Sequence, residues 1–318
     1  MSEQKVRSKH AELWHQRWEQ TKKRFPEQVA SLTEALRILH TESDPLRADK
    51  VGPVLVMGWW RDSAPSEADR GAIRHFADRA GFKKWLLRWR PRKNVKGSPP
   101  LILESEDKPP DTWTFTENGL IFEARKEQGD AFGLFLDHRE NRQVLRETSS
   151  GFRVLNLFAF TCGFSLYAAA GGASRTVSVD LSKKYLQWGK ANFQHNDIPL
   201  DGHDFVAMDS QKYLKWAQKK GLYFDRIICD PPSFSRNGKT IFKVDKDFPA
   251  LISACVDRLT QGGELLFSTN FETWSPAFWE KQIYEAGWPN AQACPVQADF
   301  EGPGADTSVQ KAFKIRLS

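Results

Sequence analysis

The chain has 318 residues, 40% of them hydrophobic and 27% charged, enough for one to three globular domains with a sizeable core. No apolar run reaches the ~18 residues of a membrane span, and "MSEQKVRSKHAELWHQRW" lacks the apolar stretch of a secretory leader, so a cytoplasmic protein with no membrane partner is expected. The formal net charge of +6 leans mildly toward a polyanionic partner.

In chain order, residues 1–40 read as a helical extension. "HAELWHQRWEQTKKRF" sets Trp14 beside Trp18 at helical spacing, and "PEQVASLTEALRILH" opens a second helix with proline at its start. Residues 41–132 read as a small α+β domain. Its expected elements are a strand at 52–60, a helix in "SAPSEADRGAIRHFADRAG", a strand at 83–90, and a hairpin at 112–126 turning on Asn118-Gly119. Between them "WLLRWRPRKNVKG" mixes cations and aromatics. Arg88, Arg90, Arg92, Lys93 and Lys96 are expected to hold phosphates, and Trp85 and Trp89 to stack on unpaired bases.

From residue 133 to 318 strands and helices alternate. The strands are "RVLNLFAF", "RTVSVD", "DFVAMD", "FDRIICD", "ELLFSTN", "AQACPVQ" and "KAFKIRL". This rhythm predicts an α/β, doubly wound, Rossmann-like sheet of seven strands with helices on both faces. The four cysteines, Cys162, Cys229, Cys255 and Cys294, form no C-x-x-C pair, and the histidines show no ligand spacing, so neither disulfides nor a metal site are expected.

Ligands of such sheets bind beyond the carboxyl ends of the strands. Those ends deliver "NLFAFTCG", Asp180, Asp209, Asp230 before two prolines, and "STN". The G-x-G-x-x-G pyrophosphate fingerprint is absent, because "FAFTCGFS" carries one glycine, Gly163. A single glycine suits an amino-acid carboxylate at a helix N-terminus. Asp180, about twenty residues on, is placed to take both hydroxyls of a ribose. S-adenosylmethionine fits this set.

Three segments carry a resemblance: "GLFLDHRENR" (133–142), "VLNLFAFTCGFSLYAAAGGASRTVSVDLS" (154–182) and "CDPPSFS" (229–235). Together they resemble the class I methyltransferase domain of bacterial 23S ribosomal RNA methyltransferases, first the N7-methylguanine type and then the 5-methylcytosine type. "ENGLIFEA" (117–124) is similar to the small domain these enzymes carry before the catalytic one, whereas residues 1 to about 50 do not resemble their usual RNA-binding module. The resemblance implies S-adenosylmethionine as cofactor and RNA, large-subunit rRNA above all, as partner. It gives Asp180, with Leu181 beside it, the ribose, and Asp209 the adenine amino group. The turn with Asn156, Phe158, Thr161 and Gly163 takes the methionine end. The L-D-H-R motif nominates Asp137 and Arg139 against the cofactor, and Asp230, Pro231 and Phe234 form the catalytic rim, Asp230 also meeting the cofactor. A carboxylate and an arginine ahead of the first core strand also suit the two ends of a zwitterionic methionine.

Carbon-5 methylation of cytosine needs a cysteine nucleophile. The 5-methylcytosine relatives carry one in a Ser-Cys-Ser pattern where this chain has Thr269, and Cys229, one residue before Asp230, is expected to face the other side of the sheet. Amino-group methylation uses a proline pair followed directly by an aromatic, whereas Ser233 precedes Phe234 here. A ring nitrogen, guanine N7, is therefore preferred, with Asn270 a possible reader of a base edge. The alternatives are a 5-methylcytosine enzyme, a methyltransferase for a protein or small molecule, and a non-catalytic RNA-binding factor.

Overall fold

The computed structural model describes residues 3–31, 34–39, 45–89, 101–127, 132–237, 240–271, 273–295, 297–300 and 311–317. It divides into two compact units, Met1–Leu136 with Ala298–Asp306, and Asp137–Gln297 with Thr307–Ser318.

The first unit opens with helices α1 (Glu3–Arg24) and α2 (Pro26–Ala30). A five-stranded sheet follows, built from β1 (Ala35–Leu39), β2 (Leu46–Val51), β3 (Val54–Trp59), β4 (Lys84–Trp89) and β5 (Leu101–Glu104), in that spatial order. Only β3 and β4 are parallel, and helix α3 (Glu67–Arg79) connects them. The Ser66–Asp69 capping box starts α3 by satisfying two backbone N–H groups that a helix end leaves open. Trp14 and Trp18 of α1 are buried against Phe76 and Phe82, so the N-terminal helix belongs to this unit's core.

Residues 35–39 are a strand, not the end of a second helix. Ala35, Leu36, Ile38 and Leu39 are all buried, a pattern that helix and strand periods both accommodate in so short a run. Pairing with β2 decides for the strand, and Lys50 of β2 terminates α2 by donating to the carbonyls of Gln28, Ser31 and Glu34. Burial lowers that amine to about 8. The expected hairpin is β6 (Thr112–Glu117) and β7 (Leu120–Arg125), its turn at φ +50° and +76° on Asn118 and Gly119.

The second unit runs α4 (Arg139–Glu147), β8 (Arg153–Leu157), α5 (Gly163–Ala170), β9 (Arg175–Asp180), α6 (Lys183–His195), β10 (His203–Ala207) and α7 (Ser210–Lys219). It continues β11 (Phe224–Cys229), β12 (Phe234–Asn237), β13 (Thr240–Lys243), α8 (Val244–Val256), β14 (Leu259–Thr269), α9 (Pro276–Glu285), β15 (Gln292–Ala293) and β16 (Lys311–Arg316). Seven strands form one sheet in the order β10-β9-β8-β11-β14-β16-β15, parallel except for β16. Two segments depart from expectation. The stretch after Asp-Pro-Pro is a β12–β13 hairpin, not a loop, and α8 stops at Val256 because "LTQGG" joins β14 through Gly262 at φ +74°. Among the described residues no helix is long and apolar enough to cross a membrane, and no cluster of ligating side chains fits a metal ion.

Candidate active site

Chain order runs outward from β8 through β9 to β10, then restarts on the other side of β8 at β11. The connections leave the sheet in opposite directions there, which opens a crevice at the carboxyl ends of β8 and β11. One wall is the turn after β8. Phe158, Phe160 and Cys162 have φ of +56°, +49° and +63°, a left-handed conformation costing ~1–3 kcal/mol per non-glycine residue.

The surroundings hold this turn at every step. The Phe158 N–H donates to Ser210 Oγ (3.2 Å), that of Ala159 to the Val179 carbonyl (3.0 Å) and that of Phe160 to Asp180 Oδ2 (2.9 Å). Asn192 Nδ2 donates to the Thr161 carbonyl (3.2 Å). Helix α6 comes so close that a Cβ on Gly189 would lie 2.4 Å from Cys162 Sγ and 3.2 Å from the Thr161 oxygen. The turn delivers the start of α5, where the first helical N–H groups lack intrahelical partners and carry partial positive charge.

The acids of the rim differ in their surroundings. Asp180 accepts from Phe160 N–H through Oδ2 and from Ser182 N–H through Oδ1 (2.8 Å). A carboxylate oxygen has a second lone pair, so both remain able to accept from a diol. Burial raises this carboxyl above its ordinary value, and the two backbone bonds oppose the rise. Leu181 follows it with 54% of its surface exposed. Asp209 caps α7 by accepting from Lys212 N–H (3.0 Å).

Asp230 ends β11. Its Oδ1 accepts from the Ser268 hydroxyl at 2.5 Å, and its Oδ2 lies 3.7 Å from His138 Nε2. Pro231 is buried and Pro232 exposed. Ser233 Oγ donates to Asn270 Oδ1 (2.8 Å), joining the ends of β11 and β14. Phe234 is 55% exposed and so outside the core. On the same hairpin Phe242 turns inward, its ring 6.3 Å from that of Phe158.

The model for S-adenosylmethionine-dependent methyltransferases matches residues 84–292. The chain belongs to the S-adenosylmethionine-dependent methyltransferase family. Among curated relatives of this methyltransferase, the ribosomal RNA large subunit methyltransferase K of Neisseria meningitidis is 40% identical over 195 residues, 61% of this chain and 54% of its own length. The K/L enzyme of a Psychrobacter species is 46% identical over 143 residues, 44% of this chain and 17% of its own length. The methyltransferase thus spans about half the length of the first relative and less of the second. A solved methyltransferase complexed with SAH superposes at a TM-score of 0.84 and 28% identity, over 97% of this chain and 81% of its own. A SAM-dependent methyltransferase from Streptococcus mutans gives 0.82 at 27% identity, covering 98% and 81%.

The donor set of the methyltransferase suits that cofactor. A carboxylate with lone pairs to spare stands at the end of β9, an exposed apolar side chain beside it, and a helix N-terminus at the first turn. Asp137 and Arg139 are half-buried on either side of His138, and Gly163 is the buried first residue of α5.

Two of the residues expected at the cofactor have buried side chains. Asn156 is 2% exposed and donates to Ser165 Oγ (3.0 Å), which also receives the Ser178 hydroxyl (2.7 Å). Its side chain thus belongs to a buried polar chain between β8, β9 and α5. Thr161 is 1% exposed, inside the turn. On the RNA side, Arg88 is 5% exposed with its guanidinium on the Lys126 carbonyl, and Trp85 and Trp89 are core residues. These three are therefore unsuited to phosphate or base contacts. Arg90, Arg92, Lys93 and Lys96 lie outside the described residues.

Sequence reasoning missed His138, although it stands inside the quoted L-D-H-R, and also Ser210 and Asn192, which carry no local signal; Ser268 opens the "STN" expected at the strand end, but its bond to Asp230 is visible only in the fold. Gly189 had one: a glycine inside a helix costs ~1 kcal/mol relative to alanine and asks for a packing reason.

Proposed function

We propose that this methyltransferase modifies a base of large-subunit ribosomal RNA, and that the acceptor atom is a ring nitrogen, guanine N7. The names of the K and K/L relatives support the RNA class. The acceptor rim supports the atom: Thr269 is buried with its hydroxyl accepting from Phe271 N–H (3.1 Å), and no thiol accompanies it. Cys229 faces Cys255 in the core, where burial pushes its thiol well above the ordinary range. Burial likewise pushes Cys162 up to about 12. A thiolate nucleophile, the first requirement of carbon-5 chemistry, is thus lacking among the described residues at the rim.

On this reading Asp180 and Leu181 hold the nucleoside of the cofactor, Asp209 its adenine, and the turn from Phe158 to Gly163, with Asp137 and Arg139, its methionine end. When bound, S-adenosylmethionine supplies a methyl group on a sulfonium sulfur. Guanine N7 presents a lone pair at neutral pH, so an N–C bond forms as the C–S bond breaks, and no proton has to be removed from the base. The chain's task is alignment and exclusion of water. Asp230 accepts from the N1–H and amino group of guanine and offsets the positive charge that develops on the purine. Phe234 stacks on the base, and Asn270, held by Ser233, reads an edge.

Mass-spectrometric mapping of rRNA nucleosides from cells with and without the gene tests this: 7-methylguanosine should be lost and 5-methylcytidine retained. The reverse pattern would sink the assignment. Cys229→Ala should keep methyl transfer within about threefold, since an inert buried thiol contributes packing only; a loss of several orders of magnitude would restore a covalent route. Phe234→Ala should leave the thermal midpoint unchanged, because the ring is largely exposed, and weaken binding of unpaired RNA by ~1–3 kcal/mol in a fluorescence titration.

A further inference from the structure

His138 is buried, 4% exposed, at the corner that opens α4. Its Nδ1 lies 3.3 Å from Asn141 Nδ2. An amide nitrogen only donates, so at this contact Nδ1 accepts and the ring proton sits on Nε2. That Nε2 faces Oδ2 of Asp230 at 3.7 Å. The ring edge meets Phe164, in the first turn of α5, with centroids 5.3 Å apart at 63°. Ser268, at the end of β14, donates to the other oxygen of the same carboxylate. Donors from two separate elements therefore flank Asp230, one on each oxygen.

We infer that His138 is a positioning residue for methyl transfer. Its Nε2–H aims the Asp230 carboxylate at the acceptor base, and Asn141 acts by holding its tautomer. The inference rests on the placement of Asp230 against the base made above. The separation of 3.7 Å exceeds a hydrogen bond, and such contacts are commonly long in ligand-free enzymes and close in the reacting complex. The Nε2–H orients the carboxylate by donating to the oxygen opposite the one that Ser268 holds.

The test uses the full chain, large-subunit rRNA transcribed in vitro and saturating S-adenosylmethionine. His138→Leu should lower kcat on the order of 100-fold, with the calorimetric affinity for S-adenosylhomocysteine changed by less than about twofold. His138→Gln, which keeps a donor, should recover part of the rate. Combining His138→Leu with Asp230→Asn should be no worse than Asp230→Asn alone. Independently of turnover, nitrogen-15 spectra of the His138 ring should place its proton on Nε2, and Asn141→Leu should release that preference. Additive losses, a glutamine variant no better than leucine, or a proton on Nδ1 would each overturn the inference. If His138→Leu does not fold, the glutamine variant and the ring spectra decide. An Asp230→Asn variant with unchanged kcat would bring down the Asp230 assignment and this inference together. An impaired Asp230→Asn beside an unimpaired His138→Leu would bring down the positioning role alone.

Discussion

Asp180→Ala is expected to weaken S-adenosylhomocysteine binding at least ~100-fold by calorimetry. Hydrogen bonds to an ionised acceptor contribute ~1.5–3 kcal/mol each, and two ribose hydroxyls lose theirs at once. The same substitution removes the acceptor of the Phe160 N–H and so releases one tie of the strained turn. Asp180→Asn keeps one oxygen and should fall between the two. A dissociation constant within about threefold of wild type would refute the assignment.

The pH dependence has a defined sign. Burial raises the Asp180 carboxyl above its ordinary 3.8, with backbone bonds from Ser182 and Phe160 opposing. Between 3.8 and the raised value the folded chain holds a proton that the unfolded chain has released. This group's contribution to the ligand-free protein's stability therefore declines as pH rises through that window. Cofactor affinity should climb over the same window, because only the ionised group accepts from both hydroxyls. Thermal melts with and without S-adenosylhomocysteine should diverge with rising pH, and parallel curves would remove Asp180 from the ribose.

Gly189→Ala should cost ~1–3 kcal/mol of stability and impair cofactor binding in the same variant. The added methyl would meet Cys162 Sγ at 2.4 Å and Cys162 Cβ at 2.8 Å, so either α6 or the turn must move. Cys162→Gly removes both atoms and also relieves the left-handed backbone at φ +63°. The double variant should therefore recover more stability and affinity than the sum of the singles allows. Strict additivity in denaturant unfolding would show that α6 and the turn are not in the contact described.

Much of this architecture was legible in advance because its signals are local. The Asn118-Gly119 turn, the alternation after residue 133 and the acids at the strand ends all follow from period and turn chemistry within a few residues. Residues 35–39 misled because a five-residue apolar run satisfies both periods, and only β2 arbitrates. The β12–β13 hairpin did have a local signal, since Asn237-Gly238 in "SFSRNGKTIFK" repeats the pair that marks the Asn118-Gly119 turn, whereas its inward Phe242 is recognisable only once Phe158 lies behind it.

The amino-acid sequence by itself determined the alternation of core strands and helices in the second unit, the single-glycine turn in place of a pyrophosphate fingerprint, and the carboxylates at the strand ends. Each is a property of a short segment and its own backbone. Only the tertiary structure decided which of those side chains reach the rim. Asn156 and Thr161 turn inward, Arg88 is spent on a backbone carbonyl, and His138 meets Asp230 from far along the chain. Burial and pairing between distant residues depend on the strand order of the sheet, which places β8 beside β11 and brings the two segments to one crevice.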